Sequence, residues 1–401
     1  MANNSGEIAA RLDRLVFSSS LKRLVALISL GGAFEFYDLF MTAYIAPGLV
    51  ASHLFRLGQV GFFAPDSIGF FVFCTFAGMW AGAMGFGFVA DRLGRRTIFT
   101  VSLVWYSLAT LAMAFQTSAA AIDLWRVIAA IGVGLEQVTI DTLLPELVPA
   151  KARGRAFAFN QLVEFSVVPV VALLAWLLVP LHPFGQEGWR LVAIIGAGGA
   201  LAAWWLRLSV PESPRWLALH GRGAEAESVM AKLEASVARD TGASLPPVPQ
   251  YLAAPPEQGR LREIFTAPYA GRTAMLSVFN LMQSIAFYGF GSWVPSLLIA
   301  KGIHVTASLQ YAFVIALANP FGPLLGFFIA DRMERKWQLV SAGAGVALFM
   351  LLFAFQTGTA QIILFGVLVT LCNNWISFAT HNYQAELYPT RIRARAVGFV
   401  Y

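Results

Sequence analysis

Residues 87–97 read GFVADRLGRRT, and residues 327–337 read FFIADRMERKW. Both stretches contain an Asp-Arg pair, and the two pairs lie 240 residues apart (91 to 331). A second pair of stretches, PELVPAKARGRAFAF at 145–159 and AELYPTRIRARAVGF at 385–399, repeats at the same offset. Two separate repeats at one offset indicate that the chain consists of two sequence-related halves.

The composition around these repeats is that of a membrane protein. Hydrophobic residues make up 58% of the 401-residue chain and charged residues 12%, and the mean hydropathy is +0.66. Soluble domains contain about a quarter charged residues. Because the alternating pattern of a transmembrane β-barrel is not visible, we predict an all-α membrane protein with about ten spans, each about 20 apolar residues long. The predicted spans are 24–50, 65–90, 98–117, 120–144, 157–181, 188–209, 272–300, 308–330, 338–356 and 360–385.

The Lys and Arg residues cluster on alternate connections between the predicted spans, which is the positive-inside pattern. This pattern predicts a cytoplasmic N-terminus in a multi-pass protein, for which we expect the inner membrane. It also explains the net charge of +6 without nucleic acid. The basic connections contain Arg92, Arg95, Arg96, Lys151, Arg153, Arg155, the stretch 207–272, Arg332, Arg335, Lys336, Arg391, Arg393 and Arg395, whereas the opposite connections contain only Arg56, Arg190 and Lys301.

The repeat and the spans together predict four segments. They are a cytoplasmic N-terminal segment 1–23, a six-span bundle 24–209, a cytoplasmic linker 210–271 and a second bundle 272–401. Within the linker, AEAESVMAKLEASVARD (224–240) is predicted to be an amphipathic helix. By the repeat, Tyr401 corresponds to Gln161, so the second bundle has four spans where the first has six. We interpret the chain as a C-terminally shortened twelve-span protein, and a natural ten-span variant is the alternative.

Several motifs resemble those of the Major Facilitator Superfamily. GFVADRLGRR resembles the family's loop signature G-x-x-x-D-R-x-G-R-[RK], and RVIAAIGVG (126–134) resembles its fourth-span motif. PESPRWL (211–217) is typical of the sugar-porter-like branch, and EFYD (35–38) resembles the paired acids of aromatic-acid:proton symporters. The resemblance implies two helical bundles, a solute site between them and transport by alternating access, driven by a proton gradient without a cofactor.

The repeated charged loops are candidates for a conformational gate. An Asp at a helix end beside several Arg residues can form ion pairs in one conformation and lose them in another. The alternative is that the Arg residues only anchor the loops to anionic lipid and set the topology. The gate candidates are Gly87, Asp91, Arg92, Arg95, Glu146 and Arg153, with Asp331, Arg332, Glu386 and Arg393 in the second half.

Ionisable residues inside the predicted spans are candidates for proton coupling, because a lone charge at the bilayer centre costs on the order of 3 kcal/mol or more. Asp38 and Arg126 are predicted at similar depth, so we expect them to form a pair that faces a water-accessible central cavity. Protonation of Asp38 would then release Arg126 to hold a substrate carboxylate. A permanent structural ion pair is the alternative. The other candidates for proton coupling are Glu35, Glu136 and Glu164.

Amide and aromatic side chains near the middle of the spans are candidates for substrate binding, because an amide in hydrocarbon needs a hydrogen-bond partner. Packing between helices or against lipid is the alternative for the aromatic residues. The substrate candidates are Gln137, Gln161, Gln283, Tyr288, Asn373 and Asn374, together with Arg126.

The sequence contains no GxxxxGK[ST] loop and no His/Cys cluster with metal-ligand spacing. We therefore expect neither ATP-driven transport nor a metal site nor an enzyme. We predict a monomeric proton-coupled symporter whose partners are a small organic solute, the proton and the bilayer, and not nucleic acid. The buried acids and Arg126 favour a carboxylate substrate, whereas PESPRWL favours a sugar or polyol. A membrane sensor that binds a solute without moving it is the alternative of another class.

Overall fold

The structure is a computed structural model that describes residues 2–57, 64–248, 261–329 and 332–388, together with residues 392, 396, 399 and 400. The described residues are predominantly helical, and no β-strand occurs among them beyond one isolated bridge between Arg56 and Ser67. The helices are α1 (Ala2–Asp13), α2 (Ser19–Ala51), α3 (Ile68–Leu93), α4 (Arg95–Ala114), α5 (Ala119–Leu147), α6 (Arg153–Leu178), α7 (Gly188–Arg207), α8 (Pro214–Leu219), α9 (Gly223–Thr241), α10 (Ala270–Ala300), α11 (Val305–Ala316), α12 (Phe321–Ile329), α13 (Arg335–Phe355) and α14 (Thr359–Leu387).

Nine of the described segments are long and apolar enough to cross a membrane. The tenth predicted span, 272–300, corresponds to α10, which is a helix of 31 residues. It is long enough to cross a membrane, and it is left out of the nine because residues such as Asn280, Gln283 and Ser284 lower its mean hydropathy. The all-α membrane fold expected from the sequence is therefore confirmed.

One predicted span, 308–330, is not a single helix, and this part of the prediction is wrong. The helix stops at Ala316 and begins again at Phe321. Pro320 has no N–H to continue the hydrogen-bond ladder and disfavours helical geometry at Asn319. The Asn374 Nδ2 group on α14 donates to the Asn319 carbonyl oxygen at 3.0 Å and to its side-chain oxygen at 3.1 Å. A broken helix at membrane depth is tolerated because a neighbouring helix bonds the freed backbone groups.

The described chain divides into two compact units, Met1–Leu252 with Leu298–Leu309, and Ala253–Leu297 with Gln310–Tyr401. In the first unit, glycines let α3 and α5 approach closely. A Cβ on Gly82 would lie 2.1 Å from the Ile131 carbonyl oxygen, and a Cβ on Gly134 would lie 2.1 Å from that of Met79. Small residues at such contacts allow tight packing between helices in lipid. This packing fixes α5 against its neighbours, and α5 carries several of the charged candidates.

The segments outside the spans of the first unit pack together. Ile8 and Leu12 on α1 share a buried cluster with Met230 and Val237 on α9. These apolar residues recur every three or four positions along α9, so the predicted amphipathic helix is confirmed, over Gly223–Thr241. Both helices contact α8 as well. We call this end of the first unit, which carries Arg95, Arg153 and Arg215, the basic end, and we call the opposite end, which carries Ala119, the far end.

Ion pairs fasten α1 to α9. Arg11 Nη2 lies 2.8 Å from Glu234 Oε2, and Arg14 Nη2 lies 2.7 Å from the other oxygen of the same carboxylate. Arg11 also contacts Glu227 at 2.5 Å. The hydrogen bond from Arg11, with a second from Arg14, holds the pKa of the Glu234 carboxyl below its ordinary value. The ionised form of Glu234 is therefore the one that holds α1 in place.

We predict that α1 detaches as the pH falls through the acid range. A lowered carboxyl pKa stabilises the docked state above the free value of about 4.3 and loses this effect as the pH falls through the lowered pKa. Hydrogen exchange of residues 2–13, corrected for intrinsic rates, should be slow at neutral pH and fast in acid. Glu234→Gln should exchange fast at both, whereas Glu225→Gln, whose partner is the nearby Arg222, should behave as wild type. Equal protection in Glu234→Gln and wild type would contradict the prediction.

Candidate functional site: buried charges of the first unit

Asp38 on α2 and Arg126 on α5 lie together inside the first unit. Arg126 Nη1 is 2.8 Å from Asp38 Oδ2, with the two side chains 0% and 5% exposed. Arg126 Nε donates to Thr75 Oγ1 at 3.0 Å, and Nη2 donates to the Asp38 carbonyl oxygen at 3.2 Å. The Thr110 hydroxyl donates to Asp38 Oδ1 at 2.6 Å. The pair expected from the sequence is thus present, and it joins residues from α2, α3, α4 and α5.

The contact between Asp38 and Arg126 is electrostatic more than directional. Neither Nη1 nor Oδ2 forms a hydrogen bond of normal geometry within the described residues. The directional bonds of the guanidinium go to Thr75 and to the backbone instead. A proton on Asp38 would therefore remove most of the attraction while leaving the guanidinium otherwise bonded. The arrangement is chemically suited to a pair that can separate.

The expectation that this pair faces a water-accessible cavity does not hold in this conformation. Arg126 has no exposed side-chain surface. Its neighbours on α3 and α4 are packed around it because α5 contacts both helices extensively. A solute carboxylate can reach the guanidinium only after the surrounding helices move. The roles of Asp38 and Arg126 in proton coupling, and of Arg126 in substrate binding, remain predictions.

A second buried ion pair, which the sequence did not predict, lies nearer the basic end. Arg207 Nη2 is 2.5 Å from Glu136 Oε1, and both side chains are 0% exposed. Arg207 Nη1 donates to the Phe99 carbonyl oxygen at 3.2 Å, and the guanidinium lies 3.8 Å from the centre of the Phe99 ring. Ser102 donates to the other oxygen of Glu136 at 3.4 Å. Glu136, a predicted proton-coupling residue, is therefore held in an ion pair.

Our assignment of Arg207 to the basic cytoplasmic stretch 207–272 was wrong. Arg207 is the last residue of α7, and its side chain enters the bundle instead of leaving it. The space comes from a glycine on α2, because a Cβ on Gly31 would lie 0.5 Å from Arg207 Nη2. The neighbouring Gly32 makes room for Glu164, whose Oε1 would lie 2.5 Å from a Cβ there. The two adjacent glycines in an apolar span were the sequence signal that could have indicated this site.

Two further acids lie close to this second pair. Glu164 is 8% exposed and accepts a hydrogen bond from Asn160 Nδ2 at 2.6 Å. Glu35 is 1% exposed, and its Oε1 has no hydrogen-bond partner in the part of the chain that the structure describes. Glu35 is within electrostatic range of Glu164, Glu136 and Arg207. One guanidinium cannot balance three buried carboxylates, so this group of acids can take up protons, as expected for proton coupling.

The substrate candidates differ in their surroundings. Gln137 and Gln161 are half-buried in the first unit. Gln283 and Tyr288 are half-buried on α10, where the Tyr288 ring packs edge-on against Phe287. Asn374 is buried and bonded to Asn319, a structural role that the sequence did not show.

Asn373, next to Asn374 on α14, has a buried Oδ1 without a hydrogen-bond partner among the described residues. It is the amide on α14 that remains available to a ligand. Binding by any of the substrate candidates stays a prediction.

The gate candidates at the basic end form loose ion pairs. Arg95 Nε lies 3.8 Å from Glu146 Oε2, and Arg153 Nη2 lies 3.8 Å from Asp13 Oδ1. Asp13 also accepts a hydrogen bond from the backbone N–H of Ala150 at 2.9 Å. Arg92 and Arg332 have exposed side chains. Gly87, Asp91, Asp331, Glu386 and Arg393 lie outside the residues whose conformation or side chains the structure describes.

The PESPRWL segment contacts the loop between α3 and α4. Glu212 Oε1 accepts a hydrogen bond from the backbone N–H of Arg96 at 3.0 Å, at the N-terminus of α4, where a carboxylate is favoured. Gly94 permits this approach. Its φ is +102°, and a Cβ on it would lie 2.4 Å from Glu212 Oε2. The second conserved-looking glycine of the GFVADRLGRR signature is therefore explained by local geometry.

Comparison with known proteins identifies relatives along nearly the whole chain. The family described as sugar (and other) transporter matches residues 24–401. The putative metabolite transport protein YyaJ of Bacillus subtilis is 29% identical over 401 residues, covering 98% of this chain and 85% of that protein. The niacin transporter NiaP of Acinetobacter baylyi is 27% identical over 396 residues, covering 98% of this chain and 86% of that protein.

A solved structure shares the fold. The xylose transporter XylE of E. coli, in a partially occluded inward-open conformation, matches with a TM-score of 0.74 at 20% sequence identity. The match covers 96% of this chain and 88% of that one. At this identity the similarity shows the fold alone and carries no information on the substrate.

We predict that Gly94→Ala lowers the apparent melting temperature in detergent by several degrees more than Gly242→Ala. Gly242 has a φ of +64° and open space around its Cα, so its substitution tests the backbone cost alone. The substitution at Gly94 adds a clash with Glu212 to a cost of about 1–3 kcal/mol for a conformation that non-glycine residues rarely adopt. Equal melting temperatures for the two variants would contradict the packing of Glu212 against this loop.

We predict that Arg207→Met destabilises the protein by about 3–5 kcal/mol, because it leaves Glu136 buried without a partner. The double variant Arg207→Met, Glu136→Gln should recover most of this loss, since it removes both charges. Thermal unfolding in detergent measures the effect. The matched control is the exposed pair Arg222 and Glu225, where the corresponding substitutions should change stability little. A single variant as stable as wild type would rule out the buried pair.

Proposed function

Because this chain belongs to the sugar (and other) transporter family of the Major Facilitator Superfamily, we propose that it is a proton-coupled symporter that takes up a small organic carboxylate by alternating access. Family membership confirms two predictions, that the chain is a multi-pass membrane transporter of a small molecule and that it is not an enzyme. The proton coupling and the carboxylate are the parts that we propose.

The observation that carries the proposal is the buried contact between Asp38 and Arg126. A proton that binds Asp38 neutralises the partner of Arg126 and leaves one positive charge in a region of low dielectric constant. A carboxylate solute restores neutrality when it binds the guanidinium. Loading both therefore keeps the buried region neutral, whereas loading either alone does not. This electrostatic condition couples the proton to the solute.

A carboxylate suits this site better than an uncharged solute does. The planar guanidinium offers parallel N–H donors that match the two oxygens of a carboxylate. Niacin, the solute in the name of one relative, has a carboxylate on an aromatic ring. A sugar or polyol is the second candidate, supported by PESPRWL and by the similarity to a xylose transporter. The half-buried amides Gln137, Gln161 and Gln283 could bind hydroxyl groups of such a solute.

We further propose that the protein lies as a monomer in the inner membrane with its basic end in the cytoplasm. The clustering of Arg95, Arg153 and Arg215 at one end of the first unit supports this orientation through the positive-inside rule. A relative of 26% identity is named as an inner membrane metabolite transport protein of Escherichia coli. Accessibility of a cysteine introduced near residue 220 to a membrane-impermeant reagent in whole cells tests the orientation.

We predict that purified protein in liposomes accumulates radiolabelled nicotinate when an inward proton gradient is imposed. Asp38→Asn should abolish this accumulation but retain counterflow, because Asn imitates a permanently protonated Asp38 and exchange of solute requires no net proton movement. Arg126→Met should abolish both. Glu225→Gln, at the surface, is the control and should match wild type. Gradient-driven accumulation by Asp38→Asn at the wild-type level would contradict the assignment of the proton site.

Two further outcomes separate the alternatives. Inhibition of nicotinate uptake by excess xylose, together with direct xylose uptake, would favour the sugar transporter. Binding of nicotinate without counterflow and without alkalinisation of the medium would instead favour a solute sensor. Each outcome is read from the same preparation, so a folding defect is recognised by the melting temperature of that sample.

A further inference from the structure

Asp123 on α5 is a buried acid that neither ion pair uses. It is 4% exposed, and neither of its carboxylate oxygens has a hydrogen-bond partner among the described residues. A carboxylate buried without a cation or a donor is strongly disfavoured, whereas the neutral acid is tolerated. In this conformation Asp123 therefore holds a proton.

The position of Asp123 relates it to the Asp38–Arg126 pair. Asp123 lies three residues before Arg126 on α5, so the two side chains share one face of the helix about one turn apart. The Cys74 thiol on α3 is within electrostatic range of both, which places all three in one neighbourhood. Glu136, by contrast, is ten residues beyond Arg126, or about 15 Å along the helix axis. Asp123 is thus the acid of α5 nearest to the pair, on the side towards the far end.

The other charged or titratable groups near Asp123 are few. Arg126 on its own helix, Asp38 on α2 and Cys74 on α3 surround it. On α4, Arg95 and Arg96 lie at the basic end, and Tyr106 is within range of Asp38 and Glu136. At the far end Arg56 and Asp66 pair with each other at the surface, 3.0 Å apart. Asp38 is therefore the acceptor and Arg126 the cation with which Asp123 can exchange.

We propose that Asp123 is a second proton-binding residue, which receives a proton from the far end and passes it to Asp38 while Arg126 exchanges one carboxylate partner for the other. This inference rests on the proposed proton coupling and extends it to a residue outside the pair. The proton leaves the Asp123 carboxyl and binds the Asp38 carboxylate. Arg126 then pairs with the Asp123 carboxylate that has formed.

The exchange conserves charge within the buried region. Before the transfer the three groups are a neutral acid, a carboxylate and a guanidinium, and after the transfer they are the same three species with the two acids interchanged. No net charge is created or moved out of the bundle, which keeps the cost of the step low in a region of low dielectric constant. The position of Asp123 near the N-terminus of α5 also favours its ionised form once the proton has left.

Infrared spectroscopy of the purified protein tests the proposal without any substrate. At neutral pH, the carbonyl band of protonated carboxyl groups should lose intensity in Asp123→Asn compared with wild type. Asp66→Asn, at the surface of the same end, is the control and should leave the band unchanged. A band of equal intensity in Asp123→Asn and wild type would overturn the proposal. Because Asn has the shape of Asp, the melting temperature identifies any variant that fails to fold.

The partner exchange makes a second prediction in the same measurement. In Asp38→Asn, Arg126 loses its carboxylate, so Asp123 should release its proton and become the new partner. The band of Asp123 should therefore disappear in Asp38→Asn, and the double variant Asp38→Asn, Asp123→Asn should show no further loss. Persistence of the band in Asp38→Asn would show that Asp123 is a protonated structural residue and would reject the relay.

Transport then distinguishes this inference from the proposed function. Asp123→Asn should slow gradient-driven uptake of nicotinate severalfold and leave counterflow unchanged, and Asp123→Glu should restore the gradient-driven rate. If wild type does not transport nicotinate, the proposed carboxylate substrate fails, but the infrared result still decides the state of Asp123. If Asp123→Asn accumulates nicotinate at the wild-type rate, the relay is rejected while the proposed function stands.

Discussion

The first unit is organised by the requirement that charges inside an apolar bundle be neutralised locally. Two guanidinium groups meet this requirement with carboxylates from other helices. Arg126 reaches from α5 to Asp38 on α2, and Arg207 reaches from α7 to Glu136 on α5. Each pair joins helices that hydrophobic packing alone would leave free to shift. The glycines at 31 and 32 on α2 exist because the groups opposite them, Arg207 and Glu164, need that space.

Much of the fold could be predicted from the sequence, because the length of an apolar segment and the period of an amphipathic helix are local properties. The spans were located in this way, and so was the helix over 224–240. The pairing of Asp38 with Arg126 was accessible for a related reason, since depth along a helix follows from residue number. Whether a charged residue at a helix end turns inward or outward depends instead on the helices opposite. That is why Arg207 was misplaced.

The broken helix at Asn319 and Pro320 shows the same limit. The proline is visible in the sequence, but a kinked continuous span and a break are equally compatible with it. The bonds from Asn374 decide the matter, and they join residues 55 positions apart. Asn374 therefore appeared to be available to a solute when its amide was already occupied. Asp123 was overlooked for the opposite reason, because an acid near a helix N-terminus is ordinarily a capping residue.

The distribution of charge on α5 has an electrical consequence. The buried part of this helix carries one guanidinium, Arg126, and one carboxylate, Glu136, of opposite sign. A displacement of α5 along the membrane normal moves both together, so the net charge carried across the electric field is zero. Each unpaired elementary charge would gain or lose about 2.3 kcal/mol per 100 mV. A sliding motion of this helix is therefore insensitive to the membrane voltage, and the voltage acts only on the proton and the solute.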